Sequence, residues 1–288
     1  MCLISVVIPI FNRRNNLRLC LAALDKQSER DFEVVVADDG SDDNPFQVLQ
    51  EFKGRFPMRY CWHEHRGVRI ALTRNEGCRL AVCETFLFLD SDILLNPTAL
   101  GHYKNIHTAN PTVVIAGRYD WLPPQQLTVY DIHANWEFLI RGEMAPMEIN
   151  GEPLGLQGVD PRLRNPNLFR EDVIHYGPYC LSLFSGNLFV PRFIWENVGG
   201  WDENIVGHGG EDAEFGMRIQ RANTPVIFSD LVMGYHVYHE RDQAKNRDEL
   251  IANAQHIEKQ HDLYKLGVRR GFAEGESILE YLEGTAHV

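Results

Sequence analysis

The sequence predicts an α/β protein built on a mostly parallel, Rossmann-like sheet flanked by helices. Three observations carry this. Short β-branched runs recur through residues 1–90, and segments with apolar residues at helical spacing separate them. The composition, 44% apolar and 24% charged over 288 residues, is that of a globular chain and excludes collagenous, low-complexity and disordered classes. Continuous apolar strands between amphipathic helices imply a parallel sheet covered on both faces.

Taken in order, strands are expected at 4–10 (ISVVIPI), 32–37 (FEVVVA), 58–62 (MRYCW) and 85–89 (TFLFL). Leu17, Leu21 and Leu24 share one face of a first helix, Phe46, Leu49 and Phe52 mark a second, and 70–82 supplies a third. From 96 to 183 the periodicity weakens and prolines accumulate, so that stretch reads as irregular loops with one strand at 113–119. Regularity returns with a strand at 184–190, a glycine-rich turn, a helix at 212–221 and a strand at 225–229. The tail reads as helical over 242–264, with Leu250, Ile257 and Leu263 available for packing, and no internal repeat is visible.

Lys and Arg number 28 against 40 Asp and Glu, a net charge of -12 with a pI near 5.4. Such a surface repels polyphosphate, so nucleic-acid binding is disfavoured. A phosphate-bearing ligand must therefore be held by a local device, either arginines or a metal ion. The six cysteines form no CxxC pair and no dense spacing, which argues against a zinc framework or disulfide scaffold and for a reducing compartment. The apolar start precedes Arg13 and Arg14 and contains Pro9, unlike a signal peptide. No apolar stretch approaches the roughly 20 residues that cross a bilayer. A cytoplasmic chain is expected, with a peripheral membrane contact left open.

In parallel sheets ligands bind beyond the carboxyl ends of the strands. Those ends are Pro9-Ile10-Phe11-Asn12, Asp38-Asp39-Gly40-Ser41 and Asp90-Ser91-Asp92. Neither GxGxxG nor GxxxxGK[ST] occurs, which removes the main support for dinucleotide oxidoreductases and P-loop enzymes. Two carboxylates one residue apart at the sheet mouth form a hard oxygen site suited to Mg²⁺ or Mn²⁺, and a metal held there can bridge a diphosphate. The plain alternative is that these aspartates cap a turn. A carboxylate at Asp38-Asp39 can accept the imide N–H of uracil, which cytosine lacks at N3. Of Arg66, Arg69 and Arg74, the first and last are singled out as phosphate partners, since three arginines on one helix usually include a solvated face.

The densest constellation is Gly199-Gly200-Trp201-Asp202-Glu203 followed by Gly207-His208-Gly209-Gly210-Glu211-Asp212. A carboxylate fixed at a rigid helix start suits a general base for a hydroxyl nucleophile, whereas capping alone explains only one acid. His236-Val237-Tyr238-His239 offers an imidazole to complete a metal shell, and at spacing three only one of the two histidines is expected to ligate.

The set SVVIPIFN, VVVADDGSDD, RIALTRNEG, FLFLDSD and GGWDENIVGHGGEDAEFGMRI resembles the inverting GT-A glycosyltransferases of family 2. GHGGEDAEFGMRI with YHVYHERD is similar to the galactosyltransferase-type portion of β-1,4-galactosyltransferases and chondroitin-polymerase-like enzymes. The resemblance implies one GT-A domain over 1–288: a nucleotide-binding half (1–95), a smaller mixed acceptor and catalytic half (96–241) and a helical tail (242–288). It implies that Pro9, Asn12, Asp39, Arg66, Arg74, Asp90 and Gly186 line the UDP-sugar, and that Asp92 and His239 hold Mn²⁺ or Mg²⁺, with His236 the alternative ligand. Asp212 would be the base, Glu211 would orient the acceptor, and Trp201, His208 and Gly210 would lie beside it. The acceptor class, whether glycan, peptide, lipid-linked or small molecule, is left open, as is the donor sugar. His208 stands where such sequences often carry an aromatic residue.

Two rival readings meet the sequence less well. A sugar-phosphate nucleotidyltransferase needs a glycine-rich basic loop after the first strand, and Phe11-Asn12-Arg13-Arg14 contains no glycine. A non-catalytic sugar-nucleotide or glycan-binding module is expected to lack the base or a metal ligand, and neither is missing.

Overall fold

The runs ISVVIPI, FEVVVAD and TFLFL are buried along their whole length, because both faces of their sheet are covered. The computed structural model describes residues 3–122, 127–134, 136, 148–149, 152–153, 160–170, 173–177, 179–237 and 247–262. In chain order the elements are β1 (Ile4–Ile10), α1 (Arg14–Asp25), β2 (Phe32–Asp38), α2 (Phe46–Glu51), β3 (Met58–Trp62), α3 (Ile70–Leu80) and β4 (Thr85–Leu89). Then follow β5 (Ile93–Leu95), α4 (Ala99–Ala109), β6 (Val114–Leu122), α5 (Val129–Ala134), β7 (Glu148–Ile149) and β8 (Glu152–Pro153). The last are β9 (Asn187–Pro191), α6 (Arg192–Val198), α7 (Glu211–Arg221), β10 (Val226–Val237) and α8 (Arg247–Gln260).

One eight-stranded sheet has the order β3-β2-β1-β4-β9-β6-β10-β5. Strands β3, β2, β1 and β4 run parallel, β9 is antiparallel to both β4 and β6, and β10 is parallel to β6. The carboxyl ends of β1, β2, β4, β6 and β10 therefore share one edge. Side chains alternate across the sheet. Val6, Ile8, Leu87 and Leu89 pack with Leu17, Leu21, Leu24 and Tyr103 on one face. Val7, Phe86 and Phe88 pack with Cys78, Trp201 and Phe215 on the other. A smaller cluster joins Ile205, Ala213 and Met217 to Leu250, Ala254 and Ile257 of α8.

The structure departs from expectation chiefly between 96 and 183. Helix α4 lies there, burying Ala99, Leu100 and Tyr103, and β5 follows the DxD turn and pairs antiparallel with β10. Strand β10 is longer than the predicted 225–229 because a register shift between Ser229 and Gly234 exposes Asp230 and Leu231 and breaks the alternation. Helix α3 stops at Leu80, since Ala81 is extended. Cys20, Cys61, Cys78 and Cys180 are free thiols, and Cys83 is disulfide-bonded. Among the described residues no helix is long and apolar enough to cross a membrane.

Candidate active site

Arg74 organises the site. It lies on α3 with 1% of its surface exposed, and a guanidinium so placed must be paired. Its Nη2 donates to Asp90 Oδ1 at 3.2 Å, and its Nη1 donates to Glu211 Oε1 at 3.2 Å and lies 3.6 Å from Asp212 Oδ1. The guanidinium sits 4.8 Å from the centroid of the Trp201 ring. The first residue after β4 and the first two of α7 thus meet over one cation. Burial alone would lower the Arg74 pKa, but Asp90, Asp212 and Glu211 raise it instead.

The acids face outward from that cation. Asp90 and Asp212 keep 35% and 31% of their side-chain surface, so a ligand can reach both. Burial, then the Glu211 carboxylate, push the Asp212 carboxyl up to about 7, against the pull of Arg74 and of the Ser185 N–H, which donates to Asp212 Oδ2 at 3.2 Å. Burial and then Asp92 raise Asp90, with Arg74 opposing. A carboxylate with proton affinity near neutrality suits general-base work. Gly186, just before β9, closes the site from the far side: its carbonyl accepts the Asp90 N–H at 3.1 Å, and a Cβ there would lie 3.0 Å from Asp90 Oδ2. A side chain at 186 would crowd the carboxylate.

Asp92, two residues on, is tied to the end of β10. Its carbonyl accepts the Val237 N–H at 2.8 Å, and its Oδ1 lies 3.4 Å from His236 Nε2. Trp121 of β6 packs against the His236 ring at 4.0 Å. His239 lies outside the described residues. Among the described residues no group of three or more His, Cys, Asp or Glu gathers to hold a metal. The Asp92–His236 pair nonetheless fits a divalent ion chemically: one carboxylate oxygen and one imidazole nitrogen are a partial donor set that a diphosphate would complete.

At the end of β2 the two aspartates divide their work. Asp38 is structural, accepting from the Ser41 N–H at 2.8 Å and the Tyr60 hydroxyl at 2.5 Å. Asp39 Oδ2 accepts the Arg69 N–H at 3.2 Å, while its buried Oδ1 has no hydrogen-bond partner and lies 3.4 Å from His63 Nδ1. Such an acceptor suits a base N–H. Pro9 is buried within β1 opposite Ala37, and Phe11 just beyond it stacks on His65 at 3.9 Å. Asn12 ties neighbouring loops, its N–H donating to Ser41 Oγ and its Oδ1 accepting the Asp42 N–H.

The structure does not bring every expected residue to the centre. Arg66 points outward, 73% exposed and paired with Glu64. Arg69, by contrast, lies 3.7 Å from Asp39. Its signal was the same helix start; spacing alone does not tell which of three arginines turns inward. Trp201 is 2% exposed, packed edge-on to Phe88 and stacked on Phe215, so it forms the floor under Arg74 and presents no open face. His208 is exposed. Gly210 is the N-terminal cap of α7, and its carbonyl accepts the Glu214 N–H at 2.9 Å.

A mostly parallel sheet with a DxD at one strand end, a second acid pair on a glycine-led helix and a histidine at the last strand define the GT-A class of fold. The chain belongs to glycosyl transferase family 2. The family model "Glycosyl transferase family 2" matches residues 5–154, and that for "N-terminal domain of galactosyltransferase" matches residues 172–240. Validoxylamine A glucosyltransferase of Streptomyces hygroscopicus subsp. jinggangensis (strain 5008) is 32% identical over 266 residues, 90% of this chain and 61% of that protein. Chondroitin synthase of Escherichia coli is 28% identical over 239 residues, 81% of this chain and 34% of that one. The chain thus spans only part of these relatives. The structure of S. aureus TarS 1-349 in complex with UDP-GlcNAc aligns with a TM-score of 0.58 at 18% identity, covering 88% of this chain and 66% of that one. The mannosyltransferase PcManGT from Pyrobaculum calidifontis, in complex with GDP-Man and Mn²⁺, aligns at 0.53 and 18%, covering 99% and 70%. Both share the fold.

Proposed function

We propose that this chain transfers a hexose or N-acetylhexosamine from a UDP-sugar to an acceptor hydroxyl, inverting the anomeric centre. The observation that carries this is the meeting of Asp90, Glu211 and Asp212 on Arg74, beside the Asp92–His236 pair. The nucleotide-sugar complex of TarS and the glucosyltransferase and chondroitin synthase relatives support a nucleotide-sugar donor. One domain over 1–288 is part of the same reading, since one sheet draws strands from both 1–95 and 96–241.

Asp212 takes the proton of the acceptor hydroxyl as its oxygen attacks the anomeric carbon from the face opposite UDP. The bond from that carbon to the diphosphate oxygen breaks, and its electron pair leaves with UDP. Arg74 holds Asp212 and Glu211 in register, and the Ser185 N–H fixes the second Asp212 oxygen. A bound Mn²⁺ or Mg²⁺ supplies charge neutralisation at the leaving diphosphate; Asp92 with His236 or His239 would hold it. Asp39 accepts the base N–H. General-base catalysis contributes roughly 10²- to 10⁴-fold.

The test is UDP release from UDP-glucose, UDP-galactose, UDP-N-acetylglucosamine and UDP-N-acetylgalactosamine with Mn²⁺ and no added acceptor. Slow hydrolysis of one donor is expected; a protein that binds these donors but releases no UDP from any of them is a binding module.

A further inference from the structure

The segment that delivers Glu211 and Asp212 is conformationally loose by sequence. Gly207, Gly209 and Gly210 all adopt left-handed backbone, with φ of 85°, 83° and 96°, a region other residues rarely enter. Three glycines within four residues give the backbone many alternatives, so its single conformation must be imposed from outside. Helix α8 imposes it. Both amide hydrogens of Asn253 are spent on this loop, Nδ2 donating to Val206 O at 3.0 Å and Gly209 O at 2.9 Å. Glu249 Oε2, one turn earlier, accepts the His208 N–H at 3.1 Å. A Cβ at Gly207 would lie 2.5 Å from the Glu249 carboxyl, and one at Gly209 would lie 2.8 Å from Leu250. The same helix holds the loop entrance through His256 Nε2 and Asp202 Oδ2 at 2.7 Å. Asn253 is 4% exposed, so its two bonds form without competition from water.

We propose that Asn253 is a positioning residue for the transfer step: it locks the 206–209 backbone and, through it, aims the Glu211 and Asp212 carboxylates at Arg74 and the incoming hydroxyl. The Asn253 amide donates to two loop carbonyls, so its effect on chemistry passes through Asp212. The inference rests on the reading of Asp212 as the base. Geometry lost at this distance lowers turnover more than binding, because a misplacement of about 1 Å costs on the order of 10²-fold in rate, while the nucleotide contacts of β1, β2 and β4 stay in place.

The experiment measures Mn²⁺-dependent UDP release from the donor that the wild-type protein hydrolyses fastest, together with UDP affinity by calorimetry with Mn²⁺. Asn253→Ala is expected to lower kcat about 10- to 100-fold while KM for the donor and the UDP Kd stay within about twofold. Glu249→Ala, at a half-buried position, frees the His208 N–H of the same loop and is expected to act in the same direction by about 3- to 10-fold; it decides the matter if Asn253→Ala does not fold. Wild-type kcat in the folded variants overturns the proposal, as does a loss of UDP affinity equal to the loss of kcat, which marks a general structural role. Asp212→Asn, assayed in parallel, separates the two claims. If it turns over normally the base assignment fails; if it is inactive while Asn253→Ala and Glu249→Ala are unimpaired, only the positioning role fails.

Discussion

At the residue scale the site rests on one cation serving three acids. The acids were legible because DSD closes strand β4 and GGED opens helix α7. The arginine's role was not. Arg74 reads in sequence as a phosphate partner, but the fold turns it beneath Asp90, Glu211 and Asp212, the last two more than a hundred residues away in the chain. Nor does the sequence show that Phe88 and Phe215 cover Trp201 beneath that guanidinium. A pH prediction belongs here. The base must be ionised, and Asp212 is raised to about 7, so kcat/KM for UDP release is expected to rise with pH through that region. Arg74 favours the ionised form, so Arg74→Gln is expected to move this limb to higher pH, besides lowering the rate. An unchanged limb in a folded Arg74→Gln protein would remove Asp212 from the role of base.

At the scale of elements, strands buried on both faces announced themselves as unbroken apolar runs, and α1 showed its Leu17, Leu21 and Leu24 stripe. Helix α4 did not, because Gly101, His102 and Lys104 dilute its pattern and only Ala99, Leu100 and Tyr103 are buried. Nor was the anchoring of α7 foreseeable: Glu214 is 3% exposed and joins Arg218 at 2.7 Å, one turn on, to His261 at 3.0 Å, just after α8. Burial opposes ionisation of Glu214, but hydrogen bonds from His261 and Arg218 outweigh it, and its pKa is lowered. A carboxylate with a lowered pKa in the folded state adds stability above its unfolded pKa, and that contribution is lost as pH falls through the folded value. Glu214→Gln is therefore expected to cost about 1.5–3 kcal/mol at pH 7. The gap in melting temperature between it and wild type should narrow as pH falls below the ordinary glutamate range; a gap that stays constant down to acid unfolding contradicts this.

For the molecule as a whole, a net charge of -12 sets the electrostatic problem. Among the described residues the buried arginines are Arg74 and Arg162, both paired with acids, and Asp90 and Asp92 would repel a diphosphate, so on the proposed reading the nucleotide would be held through a divalent ion between them. UDP affinity is accordingly expected to rise at least 10-fold on adding Mn²⁺, and Asp92→Ala to abolish that rise. Equal affinity with and without Mn²⁺ in the wild-type protein opposes the metal-assisted reading. That expectation follows from charge and the DxD alone. What composition could not show is how far the acceptor side depends on α8, since that contact is made by side chains reaching across to backbone carbonyls.

The most direct measurement compares Asp212→Asn with wild type, reading sugar transfer or UDP release and, separately, UDP binding with Mn²⁺. Turnover should fall by roughly 10²- to 10⁴-fold while UDP Kd changes less than about threefold. Preserved turnover with weakened UDP binding would mean that Asp212 holds the nucleotide and that another group takes the proton.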